Sequence, residues 1–277
     1  MAAYSLTATV PRERYDFLLY HLHSLGMLGC EERDAADGIT LLAYFRDEQT
    51  SRTAAQVLNT GDCTIEKVEE KDWLAEWRKS MKPARLARDW YVSPVWLPPP
   101  KSARYWIKIE PKMAFGTGHH ETTRLAAQAI IARKPAIIGK RVLDIGTGSG
   151  VLCFVAGLCG ARFCLGVEID PCCRENMAEN SRQNRQSGST GFLIGGITSL
   201  KVEKKIDLIV MNMILAESAP LLENASGLLA PAGSLIWSGI LTDEYEKAVE
   251  LAEKANLSLA SEKKENEWWC GTFGLNN

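Results

Sequence analysis

The sequence contains no C-x-x-C pair, although it has eight cysteines among its 277 residues. These cysteines are scattered, and several lie in apolar runs such as residues 151–159, where a thiol behaves as a small hydrophobic group. Disulfide scaffolds and structural zinc sites need more closely spaced cysteines than these. We therefore expect reduced thiols and no metal site.

An excess of one charge and long apolar runs are also missing. Lys and Arg number 32 against 34 Asp and Glu, so a net charge of −2 gives no overall basic field that would attract nucleic acid or anionic lipid. No uncharged apolar stretch reaches the roughly 18 residues that cross a bilayer. The amino terminus lacks the basic and apolar regions of a secretory signal. We expect a cytoplasmic protein with no membrane or direct nucleic-acid contact.

The composition that remains is ordinary for a globular protein, with 46% hydrophobic and 24% charged residues. At roughly 150 residues per domain, the length suggests two domains. Residues 1–68 show strand and helix patterns in the order β-α-β-β-α-β, which predicts a small α+β ferredoxin-like domain. This domain has no catalytic grouping, so we expect it to recognise the substrate. Trp73 and Trp77 belong to an amphipathic pattern at 69–82, which predicts a connector helix.

Residues 83–277 are the predicted catalytic domain. The proline run at 98–100 indicates irregular chain, after which strand and helix patterns alternate. Such alternation builds a mostly parallel α/β sheet with helices on both faces. The predicted strands are Tyr105–Ile109, Val142–Asp144, Cys164–Glu168, Phe192–Ile194, Leu208–Met211 and Ser234–Ser238. The predicted helices are Thr122–Ala132, Val151–Cys159, Pro171–Arg185, Ser218–Leu229 and Asp243–Ala255. Two last strands, Leu257–Ser261 and Glu267–Phe273, have no helix between them and predict an antiparallel edge.

A glycine-rich turn is the most specific local pattern. A buried strand ends at Asp144 and continues through Gly146, Gly148 and Gly150 into a helix. Glycines let the backbone approach a ligand closely, and the helix N-terminus offers unpaired N–H groups. A dinucleotide fingerprint would need glycine at position 151, where this chain has Val151. The carboxylate of Asp144 would repel a pyrophosphate and attract an ammonium group, so the turn favours a cationic ligand over a dinucleotide.

The following strand ends at Glu168, 22 residues after Gly146. An acidic residue at that position can accept hydrogen bonds from both hydroxyls of a ribose. Asp170 precedes Pro171, a pair typical of a helix N-terminus, so we interpret Asp170 as a cap. Together with the glycine turn, these residues resemble the class I S-adenosylmethionine-dependent methyltransferases. That resemblance implies a Rossmann-like domain and S-adenosyl-L-methionine as the cofactor.

A narrower resemblance extends over nearly the whole chain. Residues 113–123 (MAFGTGHHETT), 207–215 (DLIVMNMIL) and 235–241 (LIWSGIL) are similar to signature segments of the ribosomal protein L11 methyltransferases (PrmA). The resemblance implies a transferase that methylates amino groups of ribosomal protein L11. Lysine side chains are the implied targets, with the N-terminal amine as an open alternative.

The family resemblance also implies site residues. Asn212 is the candidate catalytic residue, because its amide oxygen can accept an N–H bond and aim the lone pair of the incoming nitrogen. Glu168 stands where the family usually has aspartate, a difference of one methylene. The predicted cofactor-binding residues are Thr123, Asp144, Gly146, Gly148, Glu168 and Asn212.

Other conspicuous residues receive structural interpretations. His119 and His120 are adjacent and have no evident third ligand, so they are expected to shape a loop over the cofactor rather than to hold a metal. The third strand ends at Gly195 without the acidic residue that often meets the adenine amino group. The adenine contact must therefore come from the backbone or another side chain. Trp268 and Trp269 could stack on a ligand, but packing of an edge strand is favoured.

Two other kinds of function compete with this hypothesis. The chain could be a methyltransferase of the same class for another protein or a small molecule, although such small-molecule enzymes seldom need a separate leading domain. It could also be a non-catalytic binding protein that retains the fold, against which the intact glycine turn, Glu168 and Asn212 argue. A nicotinamide dehydrogenase is disfavoured by Asp144 and Val151. We expect a monomer.

Overall fold

The computed structural model describes residues 3–35, 38–60, 63–68, 78, 81–112, 116–185, 188–200 and 205–276. The chain divides into two compact units, Met1–Met81 and Lys82–Asn277. The predicted connector at residues 69–82 lies almost wholly outside the described residues. In the described parts of the chain, no helix is both long enough and apolar enough to cross a membrane.

In its described residues, the first unit has four strands and two α-helices in the predicted order β-α-β-β-α-β. Its strands are β1 (Ala3–Val10), β2 (Gly29–Ala35), β3 (Gly38–Phe45) and β4 (Cys63–Val68). Its helices are α1 (Tyr15–Ser24) and α2 (Glu48–Leu58). The sheet is antiparallel with the order β2-β3-β1-β4, so a strand of one βαβ half lies between the two strands of the other half. This is the arrangement of the predicted ferredoxin-like fold.

Helical spacing accounts for the core of this unit. Leu18 and Leu22 lie four residues apart on α1, and both are buried in a core that β1 and β3 complete. Helix α2 begins after Asp47, whose Oδ1 accepts a hydrogen bond of 2.8 Å from the N–H of Thr50. That bond satisfies one of the free N–H groups at the helix N-terminus and fixes where the helix begins.

The second unit opens with a small sheet that the sequence did not predict. It consists of β5 (Ala84–Ala87), β6 (Trp90–Pro94) and β7 (Tyr105–Ile109), in that order. The strand at Tyr105–Ile109 was correctly predicted, but its assignment to the main parallel sheet was wrong, because its strand partner is β6. A period of two shows that a segment is extended and half-buried, and does not identify its partner.

The main sheet has seven strands. They are β8 (Arg141–Ile145), β9 (Phe163–Glu168), β10 (Thr190–Ile194), β11 (Ile206–Asn212), β12 (Leu229–Leu241), β13 (Leu257–Glu265) and β14 (Trp268–Leu275). Their order is β10-β9-β8-β11-β12-β14-β13. The five strands from β10 to β12 in this order pair in parallel, and β14 is antiparallel to both of its neighbours, β12 and β13. This sheet is the predicted Rossmann-like α/β sheet with an antiparallel edge.

Helices cover both faces of the main sheet. They are α3 (Glu121–Ala132), α4 (Lys134–Ile137), α5 (Val151–Leu158), α6 (Cys173–Gln183), α7 (Leu215–Ser218), α8 (Leu222–Leu228) and α9 (Tyr245–Lys254). Consecutive strand residues point to opposite faces, so Val142 belongs to the core under α3 and α5, whereas Leu143 belongs to the core under α8 and α9. The parallel strands are therefore buried on both sides, which explains their nearly continuous apolar sequence.

Two asparagines on α6 and a third at its C-cap hold the free edge of β7. Oδ1 of Asn184 accepts a hydrogen bond of 2.8 Å from the N–H of Lys108, and Oδ1 of Asn180 accepts one of 2.8 Å from the N–H of Glu110. Nδ2 of Asn176 donates to the carbonyl of Glu110 at 2.9 Å. Because these asparagines recur every fourth residue, they lie on one face of the helix and substitute for a neighbouring strand.

The segment before β12 also differs from the prediction. A single helix was expected over Ser218–Leu229, but α7 ends at Ser218 and a 3-10 turn at Ala219–Leu221 precedes α8. The turn contains Pro220, which has no N–H for the hydrogen bonds of a continuous helix. Strand β12 begins at Leu229 instead of the predicted Ser234.

Candidate active site

A cleft of about 690 Å³ opens at the carboxyl ends of the parallel strands. From β8 the chain winds outward to β9 and β10 and then returns to β11 on the other side of β8. The cleft lies at this reversal, where open α/β sheets bind their ligands. Its lining residues are His120, Thr122, Ile145, Gly146, Gly148, Val167, Glu168, Ile169, Asp170, Cys173, Gly195, Gly196, Ile197, Asn212, Met213, Ile214, Glu217, Leu221, Gly239 and Trp268.

The glycine turn forms the floor of the cleft beside β8. Gly146, Gly148 and Gly150 have φ values of +70°, +52° and +85°, in the left-handed region that favours glycine. A Cβ atom at position 146 would lie 2.8 Å from Sδ of Met213. The N–H groups of Gly146 and Thr147 both donate to the carbonyl of Val167, at 2.9 and 3.1 Å. The turn is therefore a fixed surface of backbone that a ligand can approach closely.

The segment that carried the family resemblance touches this turn. Residues 113–115 lie outside the described residues, and the described part begins at Gly116. The hydroxyl of Ser149 donates a hydrogen bond of 2.7 Å to the carbonyl of Gly116. Gly118 has φ of +85°, and a Cβ atom there would lie 2.0 Å from Cγ1 of Val92. Both glycines are needed because the segment passes close to the glycine turn on one side and to β6 on the other.

Glu168 ends β9 and lines the cleft, and its carboxylate is held by three backbone N–H groups. Oε2 accepts from Gly148 at 2.9 Å, and Oε1 accepts from Ile169 at 2.9 Å and from Asp170 at 3.1 Å. These bonds fix the side chain at the junction between β9 and the glycine turn. The carboxylate of Asp170 accepts from the N–H of Cys172 at 2.9 Å, but the prediction that Asp170 is the N-cap was wrong, because α6 begins at Cys173 and its N-cap is Cys172.

Asp144 lies below the glycine turn and is not among the residues that line the cleft. Its side chain is buried, and its Oδ2 accepts hydrogen bonds from Oγ1 of Thr147 at 2.6 Å and from Sγ of Cys153 at 3.5 Å. Its Oδ1 is also buried and has no hydrogen-bond partner among the described residues. Burial raises the pKa of the Asp144 carboxyl to about 7, because the charged form loses its hydration.

Asn212 ends β11 and lines the cleft, and one of its polar atoms has no partner. Its Nδ2 donates a long hydrogen bond of 3.4 Å to Oγ1 of Thr123. Its Oδ1 is buried and accepts no hydrogen bond within the described structure. A buried amide oxygen without a donor is costly, and such an atom is ready to accept an N–H from a ligand. Thr123 is itself fully buried behind Asn212, and its neighbour Thr122 lines the cleft instead.

The two histidines take different positions. His119 Nε2 lies 2.8 Å from the carbonyl oxygen of Lys82, whereas His120 forms the N-cap of α3 and lines the cleft. The ring of His120 meets the ring of Trp268 edge to face, with centroids 5.0 Å apart. No group of three or more His, Cys, Asp or Glu side chains in the described part of the chain is placed to hold a metal ion.

Several lining residues were missed by the sequence analysis. Trp268 was interpreted as edge-strand packing, but only Trp269 is fully buried, and Trp268 lines the cleft. Met213 and Glu217 also line the cleft. Their position just after the end of a predicted strand could have indicated this. No Lys or Arg is among the lining residues that the structure describes, whereas three carboxylates are. The cleft is therefore suited to a cation.

Gly239 lets β12 pass close to β11. It has φ of +88°, and a Cβ atom there would lie 2.6 Å from the carbonyl oxygen of Met213. The N–H of Met213 donates to the carbonyl of Ser238 at 3.0 Å, and the hydroxyl of Ser238 donates to the carbonyl of Thr122 at 2.9 Å. These contacts join α3, β11 and β12 next to Asn212, whose side chain bonds to Thr123 of α3.

Comparison with known proteins identifies relatives along most of the chain. Residues 23–274 match the family model described as ribosomal protein L11 methyltransferase (PrmA). A protein of that name from Clostridium perfringens is 32% identical over 242 residues, which cover 86% of this chain and 75% of that protein. One from Streptococcus thermophilus is 34% identical over 223 residues, which cover 78% of this chain and 68% of that protein.

The fold has a counterpart among solved structures. The crystal structure of a ribosomal protein L11 methylase from Lactobacillus delbrueckii subsp. bulgaricus matches with a TM-score of 0.63 and 24% identity. The match covers 70% of this chain and 99% of that chain. At this identity, the likeness establishes the shared fold.

Proposed function

The chain belongs to the ribosomal protein L11 methyltransferase family, and from this premise we propose that it methylates amino groups of ribosomal protein L11. Membership makes the chain an S-adenosylmethionine-dependent methyltransferase, in agreement with the resemblance found in the sequence. The observation that carries the proposed amine chemistry is the buried, unpartnered Oδ1 of Asn212 at the wall of the cleft.

The residues of the cleft fit S-adenosylmethionine. The glycine turn offers a close backbone surface, and the lining carboxylates without lining Lys or Arg suit a ligand that carries a sulfonium and an ammonium. We propose that Glu168 holds the ribose hydroxyls and that Gly146 and Gly148 meet the methionine end. Thr123 would hold Asn212 through the hydrogen bond from Nδ2, and Asp144 would support the glycine turn from below through its bond from Thr147. Gly195 is proposed to lie beside the adenine.

Bound S-adenosylmethionine would supply an electrophilic methyl group on a sulfonium. Transfer to an amine then requires a neutral nitrogen held in line with that methyl group. An ordinary lysine has a pKa of about 10.4, so neutralising it near pH 7.4 costs about 4 kcal/mol. Desolvation in the cleft lowers that cost. We propose that Oδ1 of Asn212 accepts an N–H of the neutral amine and directs its lone pair towards the methyl group.

We also propose a division of labour between the two parts of the chain. Residues 83–277 contain all of the proposed cofactor contacts, and the described part of residues 1–68 contains no group of three or more His, Cys, Asp or Glu side chains that could hold a metal ion. The proposal assigns catalysis to the former and recognition of ribosomal protein L11 to the latter, joined by a connector at 69–82. We further propose that the chain acts in the cytoplasm as a monomer without direct nucleic-acid contact, in keeping with its net charge of −2.

The test is intact mass spectrometry of purified ribosomal protein L11 after incubation with the enzyme and S-adenosylmethionine. We expect mass increments of whole methyl groups that localise to amino groups, and none when the cofactor is omitted. Methyl groups found on another protein instead would contradict the proposed substrate and leave the reaction type intact. Absence of any transfer to amines would contradict the proposed chemistry.

A further inference from the structure

Glu217 differs from the other two carboxylates that line the cleft. Glu168 accepts hydrogen bonds from three backbone N–H groups, and Asp170 accepts one from Cys172. The side chain of Glu217 is exposed and makes no hydrogen bond or ion pair with the described residues. The carboxylate of Glu217 is therefore unpaired within the described residues and is available to bind a ligand.

Glu217 occupies a fixed place beside Asn212. Helix α7 begins three residues after Asn212, and the N–H of Glu217 donates to the carbonyl of Ile214 at 3.2 Å. The hydroxyl of Ser218 donates to the same carbonyl at 2.8 Å and accepts from Nε1 of Trp237 at 2.8 Å. Because Trp237 is fully buried, these bonds anchor the short helix to the core.

An exposed apolar side chain accompanies this carboxylate. Ile214 lines the cleft and is 52% exposed, so its apolar side chain is open to a ligand. Ile214 is the N-cap of α7, three residues before Glu217, and both side chains line the same cleft. A lysine side chain has the matching chemistry, since its four-carbon stem seeks apolar surface while its ammonium group seeks a carboxylate.

We propose that Ile214 and Glu217 form the site that receives the target lysine at the mouth of the cleft, with the stem on Ile214 and the ammonium on Glu217. This inference rests on the proposed function, because it takes an amine of a polypeptide as the substrate. Glu217 is a binding group and not a base. The carboxylate captures the charged lysine, and the nitrogen gives its proton to solvent water at the mouth of the cleft before it reaches Asn212.

The proposal has a consequence for pH. A carboxylate beside the ammonium favours the charged form of the lysine and so raises the pKa of the bound amine. Replacement of Glu217 by glutamine removes that effect, so kcat should reach its plateau at a lower pH. The other titratable groups that line the cleft are His120, Glu168, Asp170 and Cys173, and the replacement leaves them unchanged. If the role of Glu217 were purely structural, its replacement would not shift the pH dependence of kcat to lower pH.

The experiment compares the steady-state kinetics of wild type, Glu217→Gln and Glu217→Asp with ribosomal protein L11. We expect Glu217→Gln to raise KM for L11 about two- to fivefold at low salt, the range for an exposed ion pair. Glu217→Asp should recover part of the affinity, and the dissociation constant for S-adenosylhomocysteine should stay at its wild-type value. Glu223→Gln is the matched control, because Glu223 is also exposed in the first turn of a short helix and does not line the cleft.

Unchanged KM and an unshifted pH profile in Glu217→Gln would overturn the lysine site while leaving the proposed function in place. An equal change in Glu223→Gln would also overturn it, because the effect would then come from general charge. A wild-type enzyme that leaves L11 unmodified would overturn the proposed function and this inference together.

Discussion

The carboxylate of Glu168 accepts a hydrogen bond from the backbone N–H of Gly148, with 2.9 Å between Oε2 and N. The bond joins the end of β9 to the glycine turn that follows β8, so the two sides of the cleft form one surface. A carboxylate has about four acceptor sites, and backbone N–H groups occupy three of those of Glu168. Glu168 therefore still has capacity for a hydroxyl of the ribose.

Replacement of Glu168 by alanine should weaken binding of S-adenosylhomocysteine by roughly 1.5–3 kcal/mol, the range for hydrogen bonds to a charged group. The loss has two sources, since the ribose loses its acceptor and the glycine turn loses its tie to β9. Isothermal titration calorimetry measures the change. Glu175→Ala is the control, because Glu175 lies on the first turn of α6 and does not line the cleft. An unchanged dissociation constant in Glu168→Ala would remove Glu168 from the cofactor site.

Replacement of Asn212 by alanine should lower kcat much more than it lowers cofactor affinity, because its Oδ1 is proposed to orient the incoming amine. Thr123→Val tests the support of that side chain. The valine keeps the shape of threonine but cannot accept the hydrogen bond from Nδ2 of Asn212, so kcat should fall by a smaller factor. Equal losses of kcat and of cofactor affinity in Asn212→Ala would assign Asn212 to cofactor binding instead.

The buried carboxyl of Asp144 should make stability depend on pH. Its folded pKa is raised to about 7, whereas an unfolded aspartate has a pKa of about 3.9. Between these values the folded chain keeps a proton that the unfolded chain releases. The free energy of unfolding should therefore fall as the pH rises through this window, by at most about 1.4 kcal/mol per pH unit.

Asp144→Asn should flatten this dependence, because asparagine does not titrate. Denaturant unfolding at several pH values across the window measures the slope for each variant. Asp243→Asn changes an exposed aspartate and should retain the wild-type slope. If wild type and Asp144→Asn show the same slope, Asp144 does not carry the extra proton.

Removal of the first unit should separate binding from methylation. A chain that begins at Lys82 keeps every proposed cofactor contact, so it should bind S-adenosylhomocysteine with the affinity of the full chain. It should fail to methylate ribosomal protein L11, because residues 1–68 are proposed to recognise that protein. Binding measured by calorimetry also reports whether the shortened chain folds. Full-rate methylation by the shortened chain would contradict the proposed role of the first unit.

Local patterns in the sequence predicted where strands and helices lie better than they predicted which strands pair with each other. The alternation at Tyr105–Ile109 correctly indicated a strand, but it did not show that this strand pairs with β6, 15 positions earlier. Nor did it show the hydrogen bonds to Asn180 and Asn184, which span 70 and 76 positions. The break at Pro220 had a visible signal, since proline interrupts helical hydrogen bonding. The early start of β12 had no such signal in the sequence, because its first residues are only partly apolar.

The candidate site was predictable where chemistry and position coincide. Glu168 and Asn212 each end a strand of the main sheet, and carboxyl ends of parallel strands meet at one edge, so both reach the cleft. Thr123 and Asp144 are buried just behind the wall of the cleft. Neighbouring residues on a helix or a strand point in different directions, so a residue next to a lining residue can be buried. Trp268 reaches the cleft from an antiparallel strand whose register the sequence does not reveal.

The central claim is that this cleft holds the cofactor with its reacting sulfur turned towards Asn212. A crystal structure of the chain with S-adenosylhomocysteine tests it most directly. The account predicts ribose hydroxyls within hydrogen-bond distance of the Glu168 carboxylate, the methionine end on Gly146 and Gly148, and the sulfur facing Oδ1 of Asn212. A nucleoside bound outside the cleft, or bound inside it with the sulfur turned away from Asn212, would contradict the account.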